Sequence, residues 1–392
     1  MTTPATTMEK LFGGTMMSPV EDPYRVYRRL REEQPVIAVN TMMGVNYLVT
    51  RYADATTVLR DSGTFSSRAN ARGIGLVMGR TLLEMDGVEH VRHRNLIAPF
   101  FSPLAMRSTM PPVVGEVVNE LIDDFIGDGA VDLVARFAFV FPMRVIAQII
   151  GVPIDDHAAF HRMALDLISI ADDPVRGLAA SEELVTFLTP LIAERRARPT
   201  DDLLSKLLCA EVEGLRLSDE NVLGFLRLLL PAGADTTYRL TGSVLWILLN
   251  DTELMQRVRE NRALLEKVIQ EILRWESPVQ LVSREATRDV ELAGCVVPAG
   301  EILAVMIGAA NRDPAKFDEP DAFVVERRND DHLGFGFGQH FCAGSHLARL
   351  ETRTAVNAIL DRLPNLRLDA REDSKIVGLA FRSPSRLAVL FD

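Results

Sequence analysis

The stretch 218–249 restricts the fold most. Ser218-Asp219-Glu220-Asn221 opens it like a capped helix start with early acids. Apolar residues then run almost all round the helix from Val222 to Leu249. A helix that is apolar on every face is buried. This one is therefore expected to pass through the middle of the protein. At its centre stands Pro231-Ala232-Gly233-Ala234-Asp235-Thr236-Thr237. Pro231 removes the N–H that would bond the carbonyl of Arg227, and its ring clashes there. Gly233 weakens the same turn. Asp235, Thr236 and Thr237 are polar groups in an oily helix, and buried polar groups need partners. Two readings stand side by side. One is a local defect that holds water and passes protons. The other is a kinked helix with Thr236 bonded back to the carbonyl four residues earlier.

A second stretch, 333–344, holds three Phe, four Gly, one His and one Cys in twelve residues. Rings at that density need cover. Glycines at that density mean backbone in conformations other residues avoid, or backbone pressed against something large and flat. Cys342 sits just before a helical pattern carried by Leu347, Leu350, Val356 and Leu360. The N–H groups and dipole of a helix start favour an anion. A thiolate is such an anion. Shielded by Phe and fed by N–H donors, it suits axial ligation of a haem iron. Three plainer readings compete. A glycine-rich phosphate loop lacks its third glycine and any Gly-Lys-Ser/Thr. A zinc site would use His332, His340, Cys342 and His346, but the spacing matches no familiar pairing. An ordinary buried cysteine with turn-forming glycines is the third.

Composition narrows the field. Of 392 residues 47% are hydrophobic and 25% charged, a globular balance with ample core material. The net charge of −11 argues against a nucleic-acid partner, which would want a basic face. Three well-separated cysteines (Cys209, Cys295, Cys342) form no Cys-x-x-Cys, which fits a reducing, cytoplasmic setting. Residues 1–17 carry no basic-then-apolar signal. Arg136, Arg144 and Arg227 interrupt the most apolar stretches, so no membrane anchor is expected.

Residues 1–20 read as a flexible N-terminus, followed by one domain over 21–392. Helix is expected over 21–33, with Tyr24, Tyr27 and Leu30 on one face, and strands over 36–39 and 46–50. The polar, glycine-bearing 62–79 reads as a long loop. Asp86 can cap the next helix, where His90 and Arg94 share a face. They would bind a carboxylate or form a solvated basic face. Helix after helix follows over 103–198, with 168–180 read as a connecting loop. On the helix over 266–276, Glu271 and Arg274 pair at i, i+3. Short strand-like runs follow. The fold class is mainly α with minor β: a single compact domain with a large helical lobe and a small β-containing lobe.

Three motifs now stand in order: Ala232-Gly-Ala-Asp-Thr-Thr237, Glu271-x-x-Arg274, and Phe335-Gly-x-Gly-x-His-x-Cys-x-Gly344. Together they resemble the cytochrome P450 family, of the soluble bacterial kind, over nearly the whole chain. The resemblance implies haem b with iron held by the axial Cys342 thiolate. Phe335 would pack beside that thiolate, and Gly338 and Gly344 would allow close approach. Glu271 and Arg274 would interlock with Arg327 to brace the loop. His90, Arg94, Arg284 and His340 would bind the haem propionates. Asp235 and Thr236, with Gly233 beside them, would form the catalytic acid–alcohol pair that delivers protons during oxygen activation. Pro231 departs from the family's usual plain aliphatic residue, so a sharper kink is expected. Val88 replaces a common proline.

The resemblance also implies a monooxygenase using dioxygen on a lipophilic small molecule, by hydroxylation or epoxidation. The sequence shows no flavin or iron–sulfur segment. Electrons are therefore expected from a separate ferredoxin and ferredoxin reductase, docking near the Cys-loop face at Arg349 or Arg353. The substrate pocket would include Leu228, Pro231, Ala232, Val279, Leu281, Leu379 and Phe381. Alternatives are a peroxide-driven or non-hydroxylating haem-thiolate enzyme and a zinc-containing non-catalytic protein.

Overall fold

A computed structural model describes residues 6–41, 44–153, 157–171, 173–328 and 331–392. The helix Asp219–Asn250 runs the length expected for it. Its start is a capping box: Ser218 Oγ accepts from the Asn221 N–H at 3.1 Å, while the Asn221 side chain answers the Ser218 N–H at 3.4 Å. Residues buried on all sides of it include Val222, Phe225, Leu226, Pro231, Leu245 and Leu249. Helices Phe141–Ile150, His157–Ile168, Pro174–Ala197, Leu264–Trp275 and Ser345–Arg362 pack around it. One continuous apolar core joins them. Helical assignment continues through Pro231 without a break. Burial on every face thus outweighs the lost hydrogen bond at that turn.

The β lobe is a six-stranded sheet. Its order is Thr6–Thr7, Val36–Thr41, Gly44–Val49, Ile302–Met306, Leu281–Ala286, Phe65–Ser66. Ile302–Met306 lies parallel to Gly44–Val49 (Ile302 opposite Asn46) and antiparallel to Leu281–Ala286 (Ile302 opposite Glu285). All five of its residues are buried, because both sheet faces are covered. This sheet fixes Arg284, opposite Leu303, close enough to His340 to act on its charge.

Three expectations need correction. Residues 6–20 are not a loose leader. Thr6–Thr7 pairs with Val39–Asn40, and helix Met8–Phe12 buries Met8 and Phe12 against Tyr27. Met8 and Phe12 supply apolar area that the expectation did not count. Residues 62–79 contain strand Phe65–Ser66, a 3₁₀ turn Ser67–Arg72 and a short helix Gly75–Met78. The loop expected at 168–180 is largely helical from Pro174, with Asp173 as its side-chain cap. Proline at the first helical turn starts that helix rather than interrupting it.

Candidate active site

The Cys loop is built by backbone geometry. Gly336 and Gly338 adopt φ of 75° and 72°, values that glycine takes without strain. The Cys342 N–H donates to the Phe335 carbonyl at 2.8 Å and the Gly336 N–H to the Leu333 carbonyl at 2.8 Å. A Cβ at Gly334 would stand 2.5 Å from the Leu273 carbonyl oxygen, and one at Gly338 2.8 Å from that of Leu59. The loop is pressed onto two other segments at these glycines. At Gly344 no chain atom lies within 4 Å of a Cβ position, so its place in the motif has no packing reason within the polypeptide. Phe335 is buried beside the cysteine, and the Arg349 guanidinium lies 4.5 Å from its ring centroid.

Burial pushes the Cys342 thiol up. The N–H groups of Gly344 and Ser345, and the charges of Arg94 and Arg349, pull the other way. Those N–H groups belong to the start of helix Ser345–Arg362. A bound metal cation deprotonates a coordinating thiol outright, so this is a prepared seat for a metal thiolate.

Behind the loop, Arg274 and Glu271 are wholly buried and bound side by side, Nε to Oε2 at 2.8 Å and Nη2 to Oε1 at 2.6 Å. Arg274 also donates to the carbonyls of Asn311, Pro320 and Ala322. Glu271 Oε1 accepts from the Val324 N–H at 2.9 Å and lies 3.4 Å from Arg327 Nε. The expected trio is brought together. His332 takes a different place from any metal site. Its Nδ1 accepts from the Gly334 N–H at 3.0 Å, and its Nε2 lies 2.9 Å from Gln270 Oε1. With both ring nitrogens committed, the zinc reading fails. Among the described residues no group of three or more His, Cys, Asp or Glu is placed to hold a metal.

In front of the loop, four nitrogen-bearing side chains converge. His90 and His340 rings lie 4.2 Å apart, and His90 is 2% exposed with no partner at Nδ1. Burial, together with His340 and Arg94, lowers the His90 pKa to about 4. Burial lowers Arg284 to about 10 and also lowers Arg94. Among the described residues the Arg284 guanidinium bonds only a neighbouring carbonyl, Ser283 O at 2.8 Å. Burial disfavours the charge on Arg94 and Arg284, and both oppose a charge on His90, so the cluster is short of an anion. Asp86 is near but committed. It stands at the helix N-cap position without capping. Its carboxylate instead accepts from Ser66 Oγ at 2.6 Å and the Ser67 N–H at 2.9 Å, and lies 3.3 Å from His340 Nε2. Burial opposes its charge, but the hydrogen bonds from His340, Ser66 and Ser67 hold it far below the usual carboxylate range. Ser67 and Gln339 also bind His340. Nothing in the sequence flags these two, since a serine and a glutamine are ordinary loop residues.

On the central helix, Ala232 is exposed and Leu228, Gly233 and Thr236 partly so, between buried turns. Thr236 Oγ1 donates to the Ala232 carbonyl at 2.7 Å, the back-bond that the sequence left as one of two options. Asp235 is 3% exposed and held by Arg239 through two bonds of 2.9 and 3.0 Å. Burial works against the Arg239 charge, and Asp235 more than offsets it. Sequence reasoning missed Arg239, although its i, i+4 spacing from Asp235 was there to read. Arg239 reaches a cavity of about 270 Å³ lined by Tyr238, Phe381, Ser383 and the N-terminal Met16 and Met17. Gly233 has a packing role: a Cβ there would meet Ile146 at 3.2 Å. Among the described residues no hydrogen bond or ion pair joins Asp235 or Thr236 to the Cys342 loop.

Of the expected pocket residues, Leu228, Ala232, Val279, Leu281 and Phe381 keep some exposure, while Pro231 is buried. Leu379 does not belong. It is 0% exposed and packs with Met8, Phe12 and Tyr27. The N-terminal segment that was expected to be loose draws it inward.

The fold and this loop define a haem-thiolate protein. The family model for Cytochrome P450 matches residues 176–376. The cytochrome P450 monooxygenase PikC of Streptomyces venezuelae is 37% identical over 362 residues, covering 89% of this chain and 85% of PikC. The crystal structure of CYP109E1 from Bacillus megaterium in complex with testosterone superposes with TM-score 0.85 at 32% identity, covering 95% of this chain and 99% of that one. P450BioI in complex with acyl carrier protein ligated to hexadec-9Z-enoic acid gives TM-score 0.86 at 31% identity, covering 95% and 98%. The chain belongs to the cytochrome P450 family and is a monooxygenase of that family, whose members hold haem iron through an axial cysteine. The residues present fit that group. The orphaned Nδ1 of buried His90 and the anion-short Arg94 and Arg284 suit its propionates, and the Cys342 seat suits its iron.

Proposed function

We propose that this chain oxygenates a lipophilic small molecule, by hydroxylation or epoxidation, with Cys342 as the axial ligand. The observation that carries the reading is the Cys342 seat: a half-buried cysteine whose sulfur faces two helix-start N–H groups, with the Glu271–Arg274 pair behind the loop. Bound haem b supplies the chemistry of dioxygen activation and C–H or C=C oxidation. The protein does the rest. His90, Arg94, Arg284 and His340 anchor the carboxylates of the group. Phe335 shields the sulfur. Thr236 presents a hydroxyl on the exposed turn of the central helix. Asp235, next to it in sequence and paired with Arg239 beside the adjoining cavity, would relay protons from that side when its pairing opens. A hydroxyl can pass a proton on while its own hydrogen bond shifts from the Ala232 carbonyl.

A lipophilic substrate is supported by the partial exposure of the aliphatic Leu228, Val279 and Leu281 and by the steroid and fatty acyl ligands named for the two solved neighbours. Electrons come from a separate ferredoxin and its reductase. Arg353, on the helix that follows the Cys loop and with its side chain 49% exposed, suits the docking face. Arg349 is less suited, its side chain being only 21% exposed and stacked on Phe335. A cytoplasmic site is supported by the three unpaired cysteines. Among the described residues no helix is long and apolar enough to cross a membrane.

The test is an absorption spectrum of the reduced protein before and after carbon monoxide. A strongly red-shifted Soret band that Cys342→Ser abolishes supports the reading; a colourless protein ends it. Thr236→Ala should lower product formed per electron consumed. Rising salt should slow haem reduction by the ferredoxin.

A further inference from the structure

We infer that Arg227 recognises a carboxylate carried by the lipophilic substrate. This rests on the oxygenase reading above and names the class of substrate for that site. Arg227 stands one turn before Pro231 on the same face of the central helix. Leu228 and Leu229, beside it, are partly exposed. The guanidinium reaches the end of helix Gly75–Met78 and the side of helix Pro174–Ala197. Its Nη1 donates to the Val77 carbonyl at 3.0 Å and to Ser181 Oγ at 2.8 Å, and its Nε lies 3.4 Å from the Leu223 carbonyl. Every acceptor is neutral. Among the described residues it has no ion pair. Burial disfavours its charge, and the one carboxylate that acts on it, Glu220, is nearly two turns away along the helix.

Most buried cations elsewhere in the chain are treated differently; Arg31, which donates to the Ala309 carbonyl and has no ion pair among the described residues, is an exception. Arg274 has Glu271, Arg239 has Asp235, Arg382 has Glu276 and Arg195 has Asp202. Arg94 and Arg284 lack a contacting carboxylate, and they face the place where the cofactor's own carboxylates would sit. Arg227 repeats their condition at the other end of the pocket wall. A desolvated guanidinium is costly unless an anion joins it. The Nη2 group makes none of the bonds above. Gly79, at φ +72°, lies against it, and a Cβ on that glycine would stand 3.1 Å from Nη2. A planar guanidinium with a free edge suits a carboxylate better than an alcohol or ester. The apolar body of the substrate would then lie along Leu228 toward Ala232 and Thr236.

The test uses the purified holoprotein and isothermal calorimetry with two probes, decanoate and methyl decanoate. Decanoate should bind roughly tenfold tighter or more, the range of a charge-assisted hydrogen bond. Arg227→Gln keeps a donor for the Val77 carbonyl but removes the charge, and should erase the preference. Ser181→Ala removes a structural bond but leaves the charge, and should preserve it. Gly79→Ala crowds Nη2 and should weaken decanoate alone, an arm that holds even where Arg227→Gln does not fold. Equal affinity for the two probes, binding of neither, or a preference that survives Arg227→Gln overturns the inference. Failure of the oxygenase reading shows separately, as a missing thiolate-type carbon monoxide band in the same preparation.

Discussion

The two walls of the site are built on opposite terms. On the Cys342 side almost every polar group is committed. Arg274 bonds a carboxylate and three carbonyls at zero exposure, His332 uses both nitrogens, and the loop glycines touch other backbone. On the central-helix side the chain tolerates a proline, an exposed alanine turn and a threonine bonded only to its own helix. One wall is over-determined and holds a ligand atom in place. The other is left loose enough for a substrate and for protons to move. Substitutions should therefore cost folding free energy on the first wall and function on the second.

The largest loss should come from Arg274→Ala. It takes the main counter-charge from a buried Glu271, which costs roughly 3–5 kcal/mol, and strips three carbonyls of their donor. Denaturant unfolding of the variant would show it; a loss below about 1 kcal/mol would mean that the wall is not over-determined. Gly334→Ala comes next, at about 2–3 kcal/mol, the upper part of the range for overpacking. The obstacle, 2.5 Å from the new Cβ, is the Leu273 carbonyl, which cannot rotate aside. Gly115→Ala is the control. It lies mid-helix with nothing within 4 Å, and should stabilise by about 0.5–1 kcal/mol.

These two walls were unequally legible. The Cys loop, the Glu271–Arg274 pair and the buried helix could be read because each is local: spacing within one element dictates the contact. What could not be read depends on distant segments. Asp86 looks like a cap by position, yet it turns to Ser66, Ser67 and His340, 254 residues away in the last case. Leu379 looks like a pocket residue, but it is fully buried in the cluster built with the N-terminal segment, whose Met16 and Val20 carbonyls accept from the Ala380 and Gly378 N–H groups. Thr236 was balanced between two states because a helical threonine always has its i−4 carbonyl in reach, and tertiary context chooses.

Acid should loosen the first wall through His332. Burial, with Arg349 and Arg274 nearby, lowers its pKa to about 3, against about 6.5 unfolded. Its contribution is therefore complete above pH 6.5 and is lost as the pH falls from there toward 3. Between pH 7 and pH 5 this amounts to about 2 kcal/mol. The cause is specific, since protonation at Nδ1 displaces the Gly334 N–H. In His332→Gln the pH dependence over that window should flatten; an unchanged slope would place the titration elsewhere.

The smallest effect on folding should come from Thr236→Ala, and it sharpens the contrast most. The hydroxyl bonds a carbonyl of its own helix that already serves the backbone ladder, and the residue is partly exposed. Back-bonding of this kind slightly disfavours a helix, and alanine is the better helix former. Stability should therefore change by no more than about 0.5 kcal/mol, and if anything rise. The same variant should waste electrons, because Asp235 and Arg239 would retain their pairing but lose the hydroxyl beside them. A melting curve and a ratio of product to reductant on one preparation separate the two roles. Lost stability with unchanged coupling would make Thr236 a structural residue and erase the distinction between the walls. Unchanged stability with poor coupling would mean that this turn of the helix is kept for chemistry and contributes almost nothing to the fold.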